Sequence, residues 1–321
     1  MTTQATAVAL PRPHSTDGEF HFRRRRFAGS FMIGVTAFFT LLALAPLVWI
    51  VLYVAKQGLA GLNLAFFTRL PAALGQLNGG VLNAIEGTIL VTLVAILISV
   101  PVGMLAAFYA ARSPNTPLGI AVRFGTDVLS GVPSIVIGLF GYALIVKPQG
   151  HYSALAGGVA ISIIMVPTII RTSEEMLKLV PGTLREASLG LGAPEWRTAL
   201  NIILPAAVSG VVTGIILAIA RGVGETAPLL FTVLGNDRFE IGQIVRSGAQ
   251  GGQPVGQIVG GVLEQPTDTL TLLMYRYSQQ PYPERVQQAW TMAFVLMFFV
   301  LLANVAARLV VYWQQRKMGK L

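Results

Sequence analysis

Cysteine is absent from the 321-residue chain, so disulfides and thiolate metal ligation are both excluded. Histidine occurs only as His14, His21 and His151. Two of these lie in the N-terminal segment and one lies between apolar runs, which leaves little from which to build a histidine metal site or a Ser-His-Asp triad. Charge is scarce as well. Asp, Glu, Lys and Arg make up 12% of the chain, about half the usual fraction in soluble domains. There is no G-x-x-x-x-G-K-[ST] stretch, so the chain cannot hydrolyse ATP through a P-loop. No metal or nucleophile constellation is visible within the apolar runs, which argues against an intramembrane enzyme. No internal repeat is visible either.

What is present is hydrophobic residues, 54% of the chain, gathered into six long uncharged runs: Phe31–Ala55, Gly87–Ala111, Val128–Val146, Tyr152–Ile170, Thr198–Ala220 and Val286–Ala307. Each has about 19 to 25 residues, enough to cross a hydrocarbon core of about 30 Å as a helix. Helices satisfy their own backbone hydrogen bonds, and the alternation of a membrane barrel strand is missing. The expected fold class is therefore an all-α membrane protein with about six transmembrane helices. Its solvent is then the lipid membrane.

The net charge of +9 is distributed in a way that argues against nucleic acid as a partner. Arg23, Arg24, Arg25 and Arg26 precede the first run. Arg112 and Arg123 follow the second. Arg171, Lys178, Arg185 and Arg197 follow the fourth, and Arg308, Arg316, Lys317 and Lys320 follow or close the sixth. If six helices alternate, all of these share one side. Lys56, Arg69, Lys147, Arg238, Arg246, Arg276 and Arg285 fall on the other. The positive-inside rule then places both termini in the cytoplasm. The first run is too long for a cleaved signal and no A-x-A site follows it, so it is expected to remain as a span.

The expected organisation is a basic cytoplasmic tail over residues 1–26, disordered; a membrane domain over 27–315; and a short tail over 316–321. The stretch from Leu59 to Phe67 is apolar enough to lie on the membrane surface, or to pack as a loop. The loop 233–285 is rich in Gly and Gln, and Gly248–Pro254 within it reads as flexible. The most informative loop is 172–205. Pro181-Gly182 is a turn, and Thr183 and Glu186 have capping-box spacing, so a short helix is expected from Leu184. Gly190 and Gly192 should end it. Pro194 suits the first position of a second helix, and Pro205 suits the start of the fifth span. Trp196, Leu200, Ile203 and Leu204 then share a face. This elbow reads either as a docking surface for another protein or as a hairpin that merely joins two spans.

Arg221 and Glu225 lie within an apolar segment, where one such charge costs about 2.5–3.5 kcal/mol on insertion scales. Four residues apart, they can compensate each other, although Arg before Glu is the less favourable order on a helix. Pro228 crowds the carbonyl of Gly224, and Gly222 and Gly224 loosen the same turn, so a broken helix is expected. Gly210, Gly214, Ala218 and Gly222 form a small-residue stripe suited to close helix packing. The row Thr213, Leu217, Arg221, Glu225 lies about 100° from it and could face a pathway. A structural ion pair is the competing reading. Asn83, Glu86, Asp127 and Asn304 are read as interfacial or packing groups.

The loop carrying Glu186, Ala187, Ser188, Gly192, Ile202, Leu204 and Pro205 resembles the E-A-A-x3-G-x9-I-x-L-P signature of ABC-importer membrane subunits, with Ser188 in place of the third small residue. Further stretches are similar to the A-type permease subunits of phosphate-specific (Pst) importers: Asp127–Phe140, Ile170–Pro181, Ala218–Thr232 and Gln288–Trp290. The resemblance implies the type I ABC-importer permease fold, in a bacterial plasma (inner) membrane. It implies a subunit that moves inorganic phosphate inward by alternating access. The pair Arg221/Glu225 alone does not separate phosphate from sulfate or molybdate. The implied partners are a second, related permease of the PstC type, an ATPase dimer that holds ATP and Mg, and an external phosphate-binding protein. This chain would hold no cofactor. Leu184, Arg185, Glu186, Ala187 and Gly192 would form the coupling helix and its end, and Arg221, Glu225 and Thr226 would line the substrate pathway.

Overall fold

The computed structural model describes residues 16–73, 76 and 79–317. Of the expected tails, 1–26 and 316–321, residues 1–15 and 318–321 lie outside the described residues, and residues 316–317 belong to the last helix. The remainder of the expected N-terminal tail is helical, because α1 runs over Thr16–Leu59. Along α1, side chains such as Phe31, Phe39 and Trp49 are exposed. A helix that is apolar all round suits surrounding hydrocarbon rather than water. Residues up to Ala55 form one compact unit and Lys56–Leu321 a second.

The second unit is helical almost throughout. The short α2 (Leu64–Thr68) begins at Asn63, whose side chain accepts a hydrogen bond from the Phe66 amide at 2.8 Å. Phe66 is buried and packs with Val81, Leu273 and Met292. Phe66 packs this loop into the core, while Leu59, Leu62 and Leu64 of the same stretch stay exposed. After it come α3 (Leu82–Arg112), α4 (Pro117–Gly131), α5 (Ser134–Gln149) and α6 (Ala154–Lys178). The chain continues through α7 (Gly182–Gly190), α8 (Glu195–Gly224) and α9 (Ala227–Thr232). It ends with α10 (Ile241–Gln250), α11 (Val255–Leu263), α12 (Leu270–Ser278) and α13 (Pro283–Lys317).

Among the described residues, α1, α3, α6, α8 and α13 are long and apolar enough to cross a membrane, and the pair α4–α5 brings the count to six if it is one span. The run Val128–Val146 is therefore not the straight helix expected from its composition. The chain bends by 102° between α4 and α5. The cause is Pro133, whose ring pushes Val132 out of the helical region, to φ −71°, ψ 128°.

The central helix is α6, flanked by α3 and α8. Gly103 of α3 comes so close to Ile169 that an added Cβ would lie 2.9 Å from its Cβ. On the other flank, the small-residue stripe of α8 meets α6. Gly210 faces Met176, Gly214 faces Thr172, and Gly222 faces Ile161 and Met165, with Ala218 fully buried between them. The small residues act as expected: they let two backbones approach where no side chain fits. The resulting core joins Val91, Ala95, Ile161, Met165, Ile169, Ala218, Leu229 and Leu272.

Candidate translocation and coupling sites

Two groups of residues stand near opposite ends of α8. At its far end the helix stops at Gly224, as the position of Pro228 predicts. Glu225 is extended at φ −76°, ψ 134°, and α9 begins two residues later. Arg221 Nε lies 3.9 Å from Glu225 Oε1, a loose pair. The Arg221 side chain is 51% exposed, so the chain does not enclose the charge it places in an apolar segment. Leu217, one turn earlier, is exposed on the same row. Thr226 sits in the break, half-buried, and its carbonyl accepts the Leu229 amide at 3.1 Å. The break is held from outside α8, because the Thr271 hydroxyl of α12 donates to the Glu225 carbonyl at 3.0 Å.

At the near end, α7 begins at Gly182 behind Pro181, two residues earlier than expected, and no side chain caps it. The capping box of Thr183 and Glu186 therefore does not form: Pro181 already sets the entry, and Thr183 lies inside the first turn. The exit matches the sequence. Gly192 takes φ +82°, its amide donates to the Leu189 carbonyl at 2.9 Å, and the Ala193 amide donates to the Ser188 carbonyl at 3.2 Å. This is a Schellman closure, which satisfies carbonyls that the helix end would otherwise orphan. Leu184, Glu186 and Ala187 are exposed on the α7 surface.

There is no separate second helix followed by a fifth span at Pro205. One helix of 30 residues runs from Glu195 to Gly224. A π turn over Ala199–Ile203 lies just ahead of Pro205, and such turns absorb a missing backbone donor without breaking the helix. The elbow is fixed to the bundle by Glu195, which pairs with Arg112 at the end of α3 and, at 3.3 Å, with Arg185 of α7. The Ser188 and Thr198 hydroxyls add a link at 2.8 Å. The Arg112–Glu195 pairing joins residues 83 positions apart, and nothing local in the sequence announces it. The same is true of the pairing of Glu174 with Arg123 at 2.6 Å, whereas its second partner, Lys178 at 2.6 Å, is four residues on along the same helix.

The loop 233–285 carries a third group that the sequence reading missed. It contains α10, α11 and α12, and Gly248–Gln253, read as flexible, forms a hydrogen-bonded turn between two of them. Arg276 bridges Asp237 and the fully buried Asp268, with 3.1 Å between Arg276 Nη1 and Asp268 Oδ2. Burial pushes the Asp268 carboxyl up from 3.8 to about 7, with Asp237 adding to the rise and Arg276 opposing it. The turn they enclose carries two left-handed residues, Leu234 at φ 65° and Gly235 at φ 95°. For Leu234 that conformation costs about 1–3 kcal/mol and persists only where surroundings impose it. Three residues at the start of α3 complete the anchorage. Asn83 donates to the Asn236 carbonyl at 3.0 Å, Glu86 accepts the Ile241 amide at 2.7 Å, and Thr88 accepts the Leu270 amide at 2.9 Å. Asn83 and Glu86 are thus packing groups. Asp127 pairs with Arg171 at 3.3 Å in the open, and Asn304 donates to the Val300 carbonyl at 2.9 Å.

Residues 99–320 match the family described as "Binding-protein-dependent transport system inner membrane component". A relative in Yersinia pestis, named phosphate transport system permease protein PstA, is 39% identical over 265 residues, which is 82% of this chain and 83% of that protein. The chain belongs to the PstA family of permease proteins. A second PstA, from Xylella fastidiosa strain Temecula1, is 38% identical over 92% of this chain and 96% of its own length. PstA 1 of Mycobacterium tuberculosis strain H37Rv is 36% identical over 92% of this chain and 91% of its own length. The fold is that of ABC-importer permeases. The structure titled inward-facing conformations of the MetNI methionine ABC transporter superposes with a TM-score of 0.52 at 20% identity, over 73% of this chain and 94% of that one. A bacterial alginate ABC transporter gives a TM-score of 0.50 at 13% identity, over 94% of this chain and 97% of that one. Like other members of the PstA family, this chain is a multi-pass inner-membrane component and a translocation subunit rather than an enzyme.

Proposed function

We propose that this chain carries inorganic phosphate inward across the membrane by alternating access, with Arg221 as its anion-handling residue and Glu225 and Thr226 beside it. The observation that carries the reading is the exposed guanidinium of Arg221 at a helix break. A charge left open on the surface of an apolar segment must be met by a water-filled path or by another subunit. Arginine suits phosphate because its planar fork donates paired hydrogen bonds and stays charged. Glu225 holds that fork loosely when no anion is there. A related second permease faces the same path, an ATPase dimer holding ATP and Mg seats on α7, and an external phosphate-binding protein delivers at the opposite surface. Both termini and α7 are then cytoplasmic, and the loop 233–285 is external.

The test is uptake of radiolabelled phosphate per assembled complex, competed by arsenate and by sulfate. Arg221→Lys should be impaired, because lysine keeps the charge and loses the fork. The double variant Arg221→Leu with Glu225→Leu should insert and assemble but fail to move phosphate. Near-normal uptake by the double variant would show that the pair is only a structural staple, and competition by sulfate as strong as by arsenate would reassign the substrate.

A further inference from the structure

A cleft of about 250 Å³ opens between the ends of α3 and α6 and the start of α7. Its floor is apolar, with Phe108, Leu177 and Ile203, and its rim holds Arg112, Lys178 and Arg185 with no carboxylate among the lining residues. The carboxylates that hold these cations stand outside the lining. Glu195 takes Arg112 and Arg185, while Glu174 takes Lys178 and is shared with Arg123. The rim is therefore under-neutralised. Arg112 and Lys178 close the helices α3 and α6, where cations complement the negative end of the helix dipole. That explanation does not reach Arg185, which is carried in from the third residue after the start of α7.

We propose that this cleft binds a phosphoryl oxyanion, which replaces Glu195 as the partner of Arg112 and Arg185. Two arginine forks and an ammonium are the donor set that phosphoryl oxygens favour. The same chemistry comes from two sources, an anionic phospholipid headgroup or free phosphate. The cleft lies where membrane-crossing helices end, the level at which basic pockets between helices hold lipid headgroups. Its apolar floor suits the glycerol carbons behind such a headgroup. Occupation detaches Arg185 from Glu195 and leaves α7 joined to α8 through its Schellman turn and the Ser188–Thr198 hydrogen bond. The site thereby sets how firmly the elbow is held. This inference rests on the cleft and not on the reading of Arg221.

The test uses the assembled complex with Arg221→Leu and Glu225→Leu, so that the pathway adds no occupancy. One arm titrates inorganic phosphate into complexes in phosphatidylcholine nanodiscs. The other counts phosphatidylglycerol retained by the complex in native mass spectrometry, without free phosphate. Saturable binding is expected in one arm, which identifies the source. Arg112→Gln with Lys178→Gln should weaken it at least about tenfold, since charge-assisted hydrogen bonds are lost. Glu195→Gln, at an exposed position, should strengthen it, because both arginines are then free of their competitor. Absence of saturable binding in both arms, insensitivity to the Arg112 and Lys178 changes, or unchanged binding in Glu195→Gln would each overturn the proposal.

Discussion

The two loops at opposite ends of α3 are ordered by different means. The elbow between α6 and α8 is organised mostly by its own punctuation. Pro181 sets the entry to α7, Gly192 closes its exit, and Pro194, extended at the N-cap rather than at the first helical position, precedes α8. The loop between α9 and α13 has punctuation too, with Pro254 before α11 and Thr269 capping α12, but it also reaches the core: Thr267, Asp268, Leu272 and Leu273 are all almost inaccessible. Its position in the core is fixed by side chains elsewhere, namely Asn83, Glu86 and Thr88 of α3, and by Arg276 bridging Asp237 and Asp268. A loop can thus be structured by local backbone chemistry or by remote partners, and composition reveals only the first.

The comparison is broken most severely at Arg276. Arg276→Met leaves Asp268 buried without its cation, and removing one member of a buried pair costs about 3–5 kcal/mol. The expected result is a large fall in melting temperature and rapid proteolysis within 233–285, while α7 stays protected. Equal loss of protection in both loops would show that they are not independent. The same carboxylate gives a pH signature. Because the folded protein raises the Asp268 pKa from 3.8 to about 7, it binds more protons than the unfolded chain between those values. Stability should therefore fall as pH rises through that window and level off above about 7. Asp268→Asn should remove this slope in melting temperature against pH, and a slope unchanged in that variant would refute the assignment.

At the elbow, Gly192→Val forces a β-branched residue into the left-handed region at a cost of about 1–2 kcal/mol. Insertion should be retained while ATPase association or ATP-driven uptake is lost; normal assembly and uptake would show that the Schellman turn is dispensable. The smallest effect is expected at Thr271→Val, which removes one hydrogen bond to the Glu225 carbonyl, worth about 1 kcal/mol. Hydrogen exchange at Glu225 and Thr226 should quicken without change at α7.

Much of the fold was legible because membranes demand long apolar runs and because small-residue stripes announce close packing. The break after Gly224 and the left-handed Gly192 were legible because proline and glycine act on their immediate neighbours. What failed did so for physical reasons. Pro133 turned one apolar run through 102°, which run length alone does not register. Thr183 had capping-box spacing, but Pro181 had already fixed the helix start. Pro205 read as a helix start until the π turn before it absorbed the missing donor. Arg112, Glu195, Asp237, Asp268 and Arg276 met only through tertiary folding, and no local pattern carried that information.

The π turn before Pro205 has a mechanical meaning. Had the proline broken the chain there, the elbow and the helix break at Glu225 would belong to separate rigid pieces joined by a hinge. Instead, 30 residues run uninterrupted from Glu195 to Gly224, a rod of about 45 Å at 1.5 Å per residue. A rod transmits axial rotation and thrust with little loss, so a turn imposed at Glu195 arrives at Arg221 as a swing of its guanidinium around the helix axis. Deleting one residue from the regular helix between Pro205 and Arg221 would rotate Arg221 by about 100° relative to α7 while leaving both ends chemically intact.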